Sequence, residues 1–161
     1  MIITGFQGEC EGAKVSVTGG FSPGSGQLGV SKAFIARDAA DFLLPGSPTE
    51  DHPEASGRGV LLLADGSRHE GDLFGADKIA EGELVFTTNM TGYQESLTDP
   101  SFAGQVLTFT WPLLGNYGIA PGISESSGVW PRGVVCRELM LEPDHRHCIG
   151  TVHDLLLAHG V

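Results

Sequence analysis

The chain has 161 residues and a formal charge of −11, with 20 Asp and Glu against 9 Lys and Arg. That balance repels phosphate backbones and sets nucleic-acid binding aside; it suits an ordinary acidic soluble protein and equally one working in a high-salt cytoplasm. The longest aliphatic runs, Val60 to Ala64 and Leu155 to Ala158, fall far short of the roughly 20 residues a spanning helix needs, and no basic start with an apolar core marks a secretory signal, so a cytoplasmic protein without a membrane partner is expected.

Residues 1–58 are dense in breakers: Gly19-Gly20, Ser22-Pro23-Gly24-Ser25-Gly26, Pro45-Gly46-Ser47-Pro48 and Glu50-Asp51-His52-Pro53-Glu54. This spacing leaves little room for regular structure, and the segment reads as a Gly/Ser/Pro-rich leader, disordered or non-native. A non-native leader would be translation upstream of a valine start at Val60. One stretch has the makings of a helix, with Ser31 as N-cap before Ala33, Phe34, Ile35, Ala39, Ala40, Phe42 and Leu43, loosely periodic. Gly20 to Gly29 reads as a linker rather than a phosphate loop. No strand precedes it, and no helix opening on Lys-Ser or Lys-Thr follows.

The compact pattern occupies residues 59–161. Val60 to Ala64 is a strand, Asp65-Gly66 a tight turn, and Ser67 to Gly71 the returning strand, because Asp-Gly between two β-prone runs favours a hairpin. A strand follows over 83–88. Tyr93 to Thr98 makes one or two helical turns, which stop before Asp99-Pro100 because a residue preceding proline is pushed out of the helical region. Ala103 to Thr110 is the next strand. Residues 120–132 form a long loop, Gly133 to Leu139 another strand, and Leu141 to Ile149 an irregular polar stretch. Thr151 to Asp154 opens the last helix as a capping box, with Val152, Leu155, Leu156 and His159 on one face and Gly160 as C-cap. These elements describe a mixed α/β domain with a β-rich core.

Chemistry-bearing clusters are few. Cys10, Cys136 and Cys148 are odd in number and lack a CxxC pair, so neither a disulfide framework nor a zinc ribbon is indicated; Cys136 reads as a small apolar residue in a strand. His145, His147, Cys148 and His153 are types zinc accepts, but their spacing matches no usual ligand pair, and they read as a solvated polar loop; no metal is expected. Ser101 beside Asp99 suggests a nucleophile, yet no His lies near it in sequence or on an obvious facing element. Thr91-Gly92-Tyr93-Gln94 and Asp99-Pro100-Ser101 read first as a structural loop, whose Asp and Thr hold neighbouring backbone, and second as a ligand contact.

The stretch TTNMTGYQESLTDPSFAGQVLTFTWPLLGNYGI, residues 87–119, resembles the signature region of the N-terminal domain of the carbamoyl-phosphate synthase small, glutamine-hydrolysing subunit. The resemblance extends over about residues 59–161. It takes in the hairpin from Val60 to Gly71, the strand around Gly133-Val134-Val135-Cys136-Arg137-Glu138-Leu139 and the helix from Thr151. It implies a three-layer β/β/α swivelling domain. It also implies a role in a complex in which the small subunit hydrolyses glutamine and ammonia passes to a large subunit. That subunit uses ATP, magnesium and bicarbonate to make carbamoyl phosphate for arginine and pyrimidine synthesis. This chain itself would bind no cofactor.

By the same resemblance, Ser101 contacts glutamine at an interdomain cleft. Thr91, Gly92, Tyr93, Asp99, Pro100, Gly115 and Asn116 carry the motif around it. The family's catalytic Cys, His and Glu belong to a C-terminal glutaminase domain, and neither Cys136 nor Cys148 has a nucleophile-elbow setting. No catalytic residue is therefore assigned, and the chain by itself is expected to be inactive. Its partners would be the large subunit and a separate glutaminase domain. The alternatives are a catalytically inert interaction module and a non-functional fragment.

Overall fold

The computed structural model describes residues 2–4, 32–37 and 57–161. The strands are β1 (Ile2–Thr4), β2 (Lys32–Arg37), β3 (Gly57–Leu63), β4 (Arg68–Phe74), β5 (Ala80–Thr87), β6 (Val106–Phe109), β7 (Leu113–Leu114), β8 (Gly133–Val135) and β9 (Glu138–Leu139). Two helices, α1 (Tyr93–Thr98) and α2 (Val152–His159), and a 3-10 turn over Pro100–Phe102 complete the described elements. The strands close into a barrel in the order β1-β4-β3-β2-β5-β6-β8, while β7 and β9 make a separate parallel pair. The chain is thus mixed α/β with a curled core that is mostly sheet.

The hairpin forms where the Asp-Gly pair places it. β3 and β4 are antiparallel, with Leu62 opposite Arg68, and the Asp65 carboxylate accepts the Ser67 N–H at 2.8 Å to pin the turn. β5, β6 and β8 are mutually parallel, so each junction needs a crossover. The first is α1 with its 3-10 turn; the second is the long segment 110–132.

Alternation of side chains along the strands creates a core on each face of the sheet. Inside the barrel lie Ala33, Ile35, Leu61, Leu73, Ala80, Val106 and Val135, with Leu63 and Leu84 packed against them. Outside it, Phe74, Leu107, Phe109, Val134 and Cys136 meet Tyr93 and Leu97 of α1 and Val152 and Leu156 of α2. The last helix forms as its ends dictate. The Thr151 hydroxyl accepts the Asp154 N–H, the Asp154 carboxylate accepts the Thr151 N–H, and Gly160 closes the helix in the left-handed region.

The helix expected from Ser31 is corrected: Lys32–Arg37 is strand β2, between β3 and β5 and antiparallel to both. Ala33 and Ile35 are fully buried while Phe34 and Ala36 are half-buried. That is the period of two a strand requires, and partners on both sides outweigh a weak helical propensity. Ala39, Ala40, Phe42 and Leu43, the remainder of that expected helix, lie outside the described residues, as do Cys10 and most of the expected leader. β1 and β2 add to the sheet from within residues 1–58, and β3 begins at Gly57.

Two expected strands are shorter than their apolar runs. The run from Ala103 to Thr110 pairs only over β6, because Gly104 takes φ +79° and its N–H goes to the Trp130 carbonyl. The run from Gly133 to Leu139 divides after Val135. Cys136 turns into the outer core, and Glu138 donates its N–H to the Pro112 carbonyl, so that β9 pairs with β7. Among the described residues no helix is long and apolar enough to cross a membrane.

Candidate functional site

The candidate residues are arranged around α1, at its two ends. A six-residue helix is about 9 Å long, so the two groups stand roughly that far apart.

At the C-terminal end, Asp99 is extended (φ −80°, ψ 119°), as a residue before proline must be, and this stops the helix. Its carboxylate accepts the Ser101 N–H at 2.8 Å. Two tight backbone bonds follow, Phe102 N–H to the Asp99 carbonyl at 3.2 Å and Ala103 N–H to the Pro100 carbonyl at 3.1 Å. Asp99 and Pro100 therefore fix the corner, as the residue types predict, and Ser101 is presented exposed from it.

At the N-terminal end, Thr91-Gly92-Tyr93 meets Gly115-Asn116-Tyr117-Gly118. The Gly92 N–H donates to the Tyr117 hydroxyl at 2.8 Å, the Tyr93 hydroxyl donates to the Gly118 carbonyl at 2.6 Å, and the two rings stack at 4.3 Å. Burial pushes both phenols above their ordinary pKa, so both stay protonated throughout the physiological range. The turn itself is closed by Gly118 N–H on the Gly115 carbonyl at 2.9 Å. Thr91 and Asn116 are exposed there.

Of the three buried polar side chains of α1, Ser96 bonds back to the Gly92 carbonyl, while Gln94 and Thr98 bond to the loop that follows. Gln94 is 2 % exposed: its amide donates to the Ala120 carbonyl and the Ser124 hydroxyl, each at 2.8 Å, and its oxygen accepts the Ala120 N–H at 2.9 Å. The Thr98 hydroxyl donates to the Gln94 carbonyl and accepts the Glu125 N–H at 2.9 Å. Ser126 donates to the Thr98 carbonyl at 2.7 Å and accepts from the Trp130 indole at 2.7 Å. The loop 120–126 is thus bonded to one helix turn, and Trp130 N–H reaches the Leu97 carbonyl at 3.2 Å.

Sequence reasoning found the corner and missed this layer. Gln94 and Thr98 are four apart on a short helix that also carries Leu97. No apolar residue of the loop signals the contact, since Ile123 itself is exposed; the contact is carried by polar side chains.

His145, His147, Cys148 and His153 are not gathered into a ligand set. His145 and His147 are exposed neighbours, with ring centroids 5.6 Å apart. The Cys148 thiol donates to the Gly150 carbonyl. His153 Nδ1 accepts the Gly75 N–H at 3.0 Å, tying α2 to the end of β4. Among the described residues no three His, Cys, Asp or Glu side chains converge as a metal site would require. Cys136 is buried in the outer core, and burial raises its thiol well above the usual range, which keeps it from being a nucleophile.

Residues 61–161 match the family model described as the carbamoyl-phosphate synthase small chain, CPSase domain. The chain is 48% identical over 104 residues to the carbamoyl phosphate synthase small chain of Methanopyrus kandleri, covering 65% of this chain and 29% of that one. The small chain of Symbiobacterium thermophilum is 46% identical over 99 residues, covering 62% and 27%, and that of Streptococcus agalactiae is 48% identical over 102 residues, covering 63% and 28%. The chain thus spans under a third of the length of these relatives. The matched region contains the whole Thr91–Ser101 and Gly115–Gly118 arrangement, and on that match the chain belongs to the carbamoyl-phosphate synthase small chain family.

Proposed function

We propose that the chain acts as the N-terminal domain of a glutamine-dependent carbamoyl-phosphate synthase small subunit. In this reading it walls one side of the glutamine cleft and docks on a large subunit. The large subunit binds ATP and Mg²⁺ and makes carbamoyl phosphate for the arginine and pyrimidine pathways. In this reading residues 59–161 bind no cofactor, and the glutaminase nucleophile and base act from another domain. The three-layer β/β/α swivelling arrangement belongs to the same reading. Its support is the pair of cores, one inside the curled sheet and one between its outer face and the helices.

The observation that carries the reading is the Ser101 corner. Ser101 is exposed, its backbone is fixed by Asp99, and it stands inside the region matched to the family. With its backbone already fixed, Ser101 gives up only side-chain rotamer freedom when its hydroxyl hydrogen-bonds an amide or carboxylate. In that role it contributes binding but no bond-making step.

The test is reconstitution of the full chain with a large subunit and a glutaminase domain supplied separately. Glutamine-dependent carbamoyl phosphate synthesis is expected from the mixture, and no ammonia release from the chain alone. Ser101→Ala should raise the glutamine KM roughly three- to tenfold, the equivalent of one lost hydrogen bond. Robust glutaminase activity of the chain alone overturns the proposal. An assembled, active complex whose KM ignores Ser101→Ala assigns the chain to docking without a part in substrate binding.

A further inference from the structure

Without β1 and β2 the barrel is two disconnected pieces. The hairpin β3–β4 has no ladder to the parallel sheet β5–β6–β8. Among the described residues, the joining ladders are β2, which runs antiparallel between β3 and β5, and β1, which lies between β4 and β8. Both joining strands precede residues 61–161, the part matched to the family. Residues 61–161 carry the end of β3 and all of β4, β5, β6 and β8, whereas β1 and β2 lie outside the match.

β2 is not a loose edge added to a finished sheet. Ala33 and Ile35 are both 0 % exposed, within the inner core. Ala33 stands opposite Leu63 on one side and Gly82 on the other; Ile35 stands opposite Leu61 and Ala80. Small residues on β5 thus make room for what β2 brings. An empty groove would leave the facing N–H and C=O rows of β3 and β5 unpaired and uncover Leu61 and Ala80, a costly combination for backbone and core alike.

We propose that the groove between β3 and β5 is a strand-acceptor site, and that Lys32–Arg37 is its built-in occupant. The site takes an antiparallel strand, with a small side chain and then a branched one, two residues apart, directed into the barrel. Main-chain hydrogen bonds to both neighbours supply the binding, and the inward pockets set the sequence, as in strand-addition recognition generally. The family-matched part is thereby completed from within this chain. A domain so completed keeps its fold without a strand donated by another polypeptide.

The experiment uses the full chain carrying Phe34→Cys and Glu81→Cys, which are opposite each other across β2 and β5. Mild oxidation followed by peptide mapping is expected to give an intramolecular 34–81 disulfide, formed much faster than in a Phe34→Cys/Glu83→Cys control two residues out of register. In parallel, Ile35→Asp should reduce hydrogen-exchange protection of the amides of residues 60–63 and 80–83 at least tenfold. A synthetic peptide KAFIAR added in excess should restore it, and the same peptide carrying the Ile→Asp change should not. Absence of the 34–81 disulfide, or its formation only between chains, overturns the proposal, as does unchanged protection in Ile35→Asp. If Ile35→Asp fails to fold, the disulfide pair still decides.

Discussion

Replacing Gln94 by Ala probes the layer that holds the loop 120–126 against α1. The side chain is 2 % exposed and makes its bonds to Ala120 and Ser124 from beneath the loop. Truncation removes all of them. It strands the Ala120 N–H and carbonyl in a half-buried setting, whereas the exposed Ser124 hydroxyl recovers its bond from water. Each lost bond costs about 0.5–1.5 kcal/mol, and a stranded backbone group adds to that. Ala gains back a few tenths of a kcal/mol in helix propensity. The net expectation is a loss of about 3 kcal/mol. At roughly 3 °C per kcal/mol for a chain of this size, the melting temperature falls by roughly 10 °C. Urea denaturation followed by circular dichroism measures it, with the midpoint lowered and the slope unchanged. A second variant, Gln94→Glu, keeps the acceptor for Ala120 N–H but sets a carboxylate oxygen against the Ala120 carbonyl. It should be at least as destabilised at neutral pH and should recover on acidification. A loss below about 0.5 kcal/mol in Gln94→Ala would refute the claim that these bonds hold the loop.

Other outcomes follow from the same geometry. Gly118 has φ +67°, and a Cβ there would run into the Cys148 sulfur and lie 2.8 Å from the Gly150 carbonyl; Gly118→Ala should therefore cost more than about 2 kcal/mol in thermal unfolding, and Cys148→Ala should relieve only part of it, since the backbone strain remains. Thr151→Ala removes the cap of α2 and should cost about 1 kcal/mol at neutral pH. The bonds from Thr151 hold the Asp154 carboxyl below its ordinary pKa. A depressed carboxylate contributes stability above its unfolded pKa and loses it as pH falls through the folded value. The gap between wild type and Thr151→Ala should accordingly be full at pH 7 and narrow below about pH 4 in melts taken as a function of pH.

Among the strands, what could be read along the chain was what neighbours in sequence decide. The β3–β4 hairpin follows from Asp65-Gly66, whose backbone demands are met within four residues. β2 could not be read that way. Ala33, Phe34, Ile35 and Ala36 are all apolar, so they show neither a helical nor a strand period. Their state is set by Leu61 to Leu63 on one side and Ala80 to Gly82 on the other.

The candidate site divides along the same line. Sequence by itself determined the Ser101 corner, because a pre-proline Asp that accepts the N–H two residues on is a local construction. It also determined the capping box of α2 and the family likeness carried by residues 87–119. Tertiary structure alone decided that Gly92 and Tyr117, 25 residues apart, share a hydrogen bond. It alone decided that Gln94 and Thr98 face a loop rather than water, and that β1 and β2 join the two halves of the sheet. Local signals act over one turn of backbone, where few conformations compete. Pairing across the barrel depends on which distant segments bury their apolar faces together, and that choice is made only when the whole core closes.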